Sequence, residues 1–142
     1  MRHARRRGGR VTGMQPALVR GSGAAEYFFA EGCHITELSN GSHDNGLSVA
    51  RARVPAGVTT RWHRLHGIAE RYVIVSGDGE VEVGTLAPQR VQAGDVVIIP
   101  AGCRQRIANR GTDDLVFLAI CTPRFRAGAY VDVEESPAAR LG

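Results

Sequence analysis

The sequence predicts an all-β fold, a jelly-roll barrel. Three observations carry this: short runs rich in Val, Ile and aromatics, turn chemistry between them, and no convincing helical periodicity in the body of the chain. The runs fall at 33–38, 47–54, 71–75, 80–83, 95–99, 105–108 and 115–121, which makes seven strands a minimum. Between them stand Ser39-Asn40-Gly41, Asp44-Asn45-Gly46, Pro55-Ala56-Gly57, Gly77-Asp78-Gly79, Ala93-Gly94-Asp95, Pro100-Ala101-Gly102 and Asn109-Arg110-Gly111. In such corners glycine supplies positive φ, and proline fixes φ while ending a strand. Many short strands leave a sandwich or a barrel, and a closed jelly roll removes exposed strand edges.

A chain of 142 residues, 43% hydrophobic, suits one core, because dividing it would leave each half marginal. The domain is placed at 14–133 and its barrel at roughly 27–125, with a frayed tail at 134–142. No apolar run approaches the roughly 18 residues of a membrane span. Cys33, Cys103 and Cys121 are few, odd in number and widely spaced, which argues against a disulfide framework and for a reducing, cytoplasmic setting.

The formal charge of +4 is concentrated at one end. Arg2, Arg5, Arg6, Arg7 and Arg10 precede any acid, the first of which is Glu26, so the rest of the chain is close to neutral. A basic arm can touch phosphates, but this one lacks apolar periodicity, and Met14 offers a second start. Residues 1–13 are therefore expected to be disordered or to precede the true start, with neither a nucleic acid nor a membrane as partner.

Two stretches distinguish this barrel from a generic one. Residues 57–77 read GVTTRWHRLHGIAERYVIVSG, and residues 94–109 read GDVVIIPAGCRQRIAN. Together they resemble the paired cupin motifs, G-x5-H-x-H-x(3,4)-E-x6-G and G-x5-P-x-G-x2-H-x3-N. The second fits at every fixed position except Gln105, which stands where histidine is expected. The first fits at Gly57, His63, Glu70 and Gly77, but its second histidine position is Leu65, and His66 comes one residue late. The resemblance spans roughly 49–125.

Side chains on a strand alternate faces, so in a barrel imidazole, carboxylate and amide from neighbouring strands can meet at one point. The resemblance implies one divalent transition metal ion held by His63, Glu70 and Gln105, with or without His66. A one-residue slip on a regular strand turns a side chain to the other face, so His66 ligates only if a bulge re-aims it. Nitrogen with carboxylate and amide oxygen suits Fe, Mn, Ni, Cu or Zn without choosing among them.

Around this set, Tyr72 lies two residues from Glu70 and could position substrate or fill space. Cys103 lies two residues before Gln105 and could line the pocket or pack as a small core residue. Arg51 shares a strand face with Arg53 and could meet an anionic substrate, or the face could be solvated. His34 and His43 read as surface residues, and Asn109 as a turn cap.

The resemblance implies a small-molecule ligand, a homodimer paired through outer strands, and an enzyme of dioxygenase type acting on a small oxygen-bearing metabolite. Two other readings stay open. One is an isomerase or lyase in which the metal acts as a Lewis acid while Glu70, or an unligated His66, moves a proton. The other is a module that binds a small ligand without turning it over.

Overall fold

The computed structural model describes residues 13–134. The segments expected to be a disordered arm and a frayed tail therefore lie almost wholly outside the described residues.

The regular secondary structure of the described residues is nearly all strand. In chain order the elements are β1 (Tyr27–Phe29), β2 (Cys33–Ser39), β3 (Ser48–Val54), β4 (His63–Leu65), β5 (Ala69–Ser76), β6 (Asp78–Val83), β7 (Gln89–Gln92), β8 (Val96–Ile99), β9 (Gln105–Asn109), β10 (Leu115–Thr122) and β11 (Tyr130–Asp132). A single 3₁₀ turn, Ala127–Ala129, precedes β11. No helix among the described residues is long and apolar enough to cross a membrane.

All pairings are antiparallel, in two sheets of order β1-β2-β3-β10-β5-β8 and β11-β4-β9-β6-β7. The jelly roll is thus a pair of facing sheets and not one continuous hydrogen-bonded cylinder. All seven strands expected from the sequence overlap observed ones, with ends that agree to within two residues. The additional ones, β1, β4, β7 and β11, are three or four residues long and depend on a neighbour for their definition.

Alternation sets the interior. On β5, Glu70, Tyr72 and Ile74 are buried, and on β9, Gln105 and Ile107 are buried. Most inward positions are apolar and form a main cluster that includes Val54, Ile74, Ile99, Ile107, Leu115 and Phe117. A smaller cluster joins Leu65, Ile68, Cys121 and Ala129.

Two corners carry particular weight. Gly77 has φ +91°, and a Cβ there would stand 2.7 Å from the carbonyl oxygen of Asp114, so only glycine fits. The Asn109 amide donates to the carbonyls of Val54 and Asp113 and accepts from the Gly111 N–H, which fixes the turn into β10.

Candidate functional site

A cavity opens between the sheets. His63, Leu65, Glu70, Tyr72, Ala119 and Cys121 are among the residues lining it. Its volume of about 60 Å³ is several times the ~10–15 Å³ one water requires, so it suits a ligand of a few heavy atoms.

His63 points inward from β4 and is 3% exposed. Its Nδ1 lies 2.7 Å from the Arg61 carbonyl oxygen, which can only accept, so Nδ1 carries a proton. Nε2 is thereby left to face the cavity, where it meets the Glu31 carboxylate at 3.1 Å. Glu31 comes from the β1–β2 turn, outside both motifs. That turn is anchored because the Arg61 N–H donates to the Glu31 carbonyl at 2.8 Å, while the Arg61 guanidinium pairs with Asp132 at 2.6 Å. The buried Cys33 thiol donates to the other Glu31 oxygen at 2.8 Å. No motif marks a lone carboxylate in a turn, so sequence reasoning had no signal for Glu31.

Glu70 also lines the cavity and is buried. Burial pushes its carboxyl up to about 7, with the neighbouring Glu31 charge adding to the rise. Gln105 donates to it at 2.8 Å, and the Cys121 thiol approaches at 3.6 Å. Burial drives both the Cys33 and Cys121 thiols well above their usual range, so neither is poised as a thiolate nucleophile. Tyr72 packs on Phe117 with ring centroids 4.3 Å apart and donates its hydroxyl to Gln105 Oε1 at 2.5 Å.

Of the residues expected to share the site, the fold brings His63, Glu70, Tyr72 and Gln105 together and sends three elsewhere. His66 is exposed. β4 ends at Leu65, which takes the inward position, and Gly67 at φ +70° turns the chain away, so no bulge re-aims the imidazole. Cys103 lies in the corner before β9 begins, where strand alternation does not yet hold. It packs against the main apolar cluster, as the core alternative expected, and lines a separate hollow beside Trp62, Glu82, Gly84 and Arg104. Arg51 lies on the outer face of β3 and pairs with Glu26 at 3.7 Å. It belongs to a solvated face and meets nothing in the cavity.

The expected metal set fares accordingly. Gln105 has both polar atoms engaged and ties β9 to β5 across the two sheets. His63 and Glu31 make a two-donor pair, but among the described residues no three His, Cys, Asp or Glu side chains gather to hold an ion. With Gln105 engaged by Tyr72 and Glu70 and with His66 outside the cavity, the donors present fit neither the set of His63, Glu70 and Gln105 nor the same set with His66.

Residues 50–121, just over half of the chain, match the model of the cupin domain. An oxalate-binding protein of Thermotoga maritima is 34% identical over 79 residues, 55% of this chain and 64% of that protein, so the chain spans just under two thirds of its length. Among solved structures, a predicted oxalate decarboxylase from Thermotoga maritima superposes with TM-score 0.67 at 25% identity, covering 75% of this chain and 99% of that one. KdgF from Halomonas sp. gives 0.67 at 15%, covering 77% and 96%. Streptomyces Pac13, a nucleoside dehydratase, gives 0.69 at 16%, covering 85% and 93%. The last two likenesses concern the fold alone. With the two facing sheets, both motif frames and the family match in agreement, the chain belongs to the cupin superfamily.

Proposed function

We propose that the chain binds a small carbonyl- or hydroxyl-bearing metabolite in the cavity and moves protons on it, as an isomerase or lyase. The observation that carries this reading is the His63–Glu31 pair facing the protonatable Glu70 across an enclosed space. Deprotonated, the pair puts two acceptors 3.1 Å apart, an arrangement that captures a proton; protonated, it can return one. Glu70, held near neutrality, can act as the complementary acid. On an α-hydroxy carbonyl compound, the pair takes the proton from the carbon next to the carbonyl. The C–H electron pair becomes a C=C bond as Glu70 protonates the carbonyl oxygen, giving an enediol; the pair then returns its proton to the former carbonyl carbon while the Glu70 carboxylate takes the proton of the hydroxyl on the first carbon, which forms the new carbonyl and restores both groups. Gln105 and Tyr72 hold Glu70 in place. The donor arrangement favours this route over dioxygen activation, which calls for a fuller ligand set around a redox metal.

The test is hydrogen exchange of dihydroxyacetone in D₂O, followed by proton NMR. Wild-type protein should speed exchange above buffer, and His63→Ala and Glu31→Gln should each lower the rate at least ~100-fold. Exchange no faster than buffer, or unchanged in both variants, overturns the proposal; binding without exchange then identifies a non-catalytic module.

A further inference from the structure

Tyr130 lies outside the matched family region, on β11, and has the described buried side-chain polar atom left without a hydrogen-bond partner, its hydroxyl oxygen. Its ring stacks on His63 with centroids 5.2 Å apart and meets Phe29 edge-on at 5.0 Å, so Tyr130 is held in place among the residues that line the cavity. Buried hydroxyls almost always have a partner, and one without a protein partner beside a cavity is suited to a ligand.

The charge of the cavity limits what that ligand can be. Glu31 and Glu70 line it, Glu37 stands at its rim, and no described lining residue is arginine; the sequence has no lysine. The His63–Glu31 pair is neutral with a shared proton and carries one negative charge without it, and Glu70 adds either nothing or one negative charge more. The wall is aromatic, from Tyr27, Phe29, Tyr72, Phe117, Phe125 and Tyr130. An anion entering would lose its water and find no compensating cation.

We infer that the cavity takes a small ligand without negative charge and that the Tyr130 hydroxyl donates a hydrogen bond to one of its oxygens. This rests on the reading above that the cavity is the binding site, and it separates the chain from an oxalate binder despite the name of its relative. Oxalate, oxamate and oxamide share one skeleton and carry two, one and no negative charges. Their binding to the chelator-treated full chain near neutral pH can be followed by ligand-observed NMR. Affinity should rise in that order, at least tenfold from oxalate to oxamide, and Tyr130→Phe should weaken oxamide about three- to tenfold. Oxalate binding as tightly as oxamide, no binding of any of the three, or an unchanged affinity in Tyr130→Phe overturns the inference. The two proposals fail separately. Dihydroxyacetone exchange with equal oxalate and oxamide affinity defeats only the charge rule, whereas the predicted affinity order without exchange defeats only the proton-transfer reading.

Discussion

The cavity is built from two kinds of residue. His63, Glu70, Tyr72 and Gln105 come from the motif stretches and sit on β4, β5 and β9, where register alone places them: His63 opposes Gln105, and Glu70 opposes Cys121. Glu31 and Tyr130 come from the β1–β2 turn and from β11, brought in only when the chain closes over the barrel mouth. Every polar atom of the first group that is buried has a partner within the protein, whereas the Tyr130 hydroxyl has none. The motif half supplies a satisfied frame, whereas the half from outside the motifs supplies the carboxylate beside His63 and the unpartnered hydroxyl, the two groups on which both proposals above rest.

Breaking the frame should cost most. Gln105→Ala leaves the Tyr72 hydroxyl and the Glu70 carboxyl without their shared partner, with an expected loss of roughly 4 kcal/mol in urea unfolding. A loss under about 1 kcal/mol would show that the bridge between sheets is not what holds the frame.

The next effect is the pH dependence of that frame. Glu70 titrates at about 7 when folded, against 4.5 for the ordinary carboxyl, so between these values the folded state binds the proton more tightly. The stabilisation is complete at low pH and is lost as pH rises from 4.5 to 7, on the order of 3 kcal/mol. Glu70→Gln should remove this slope from a series of denaturation curves; an unchanged slope would place the titration elsewhere.

Tyr130→Phe should act in the opposite sense to the frame substitutions. Removing a buried hydroxyl without a partner should leave stability unchanged or raise it by up to about 1 kcal/mol. A clear loss of stability would show that the hydroxyl has a structural partner in solution. The smallest effect is expected at His66, where alanine on the exposed turn should change unfolding by less than about 0.5 kcal/mol and leave dihydroxyacetone exchange intact.

Much of the frame was legible because β structure repeats every two residues. Given strands at 71–75 and 105–108, alternation puts Tyr72 and Gln105 on inward faces, and Glu70 joins Tyr72 because β5 begins at Ala69. The same rule failed at Cys103, which precedes its strand, and it sent His66 outward because β4 continues regularly through Leu65. It also left Gln105 indistinguishable from a metal ligand, since an inward amide looks the same in sequence whether its partner is an ion or, as here, Tyr72 and Glu70.

By itself the sequence determined the all-β class, the order of the main strands, the two motif frames and the inward face of Tyr72 and Gln105, because these follow from local periodicity and turn chemistry. Only the tertiary structure decided that His63 faces Glu31, that Gln105 is spent in bridging the sheets, and that the Tyr130 hydroxyl is left free. These depend on where a turn and a three-residue strand land after closure. Their positions are fixed by contacts such as Arg61 with Glu31 and Asp132, between residues far apart in the chain, which no local pattern encodes.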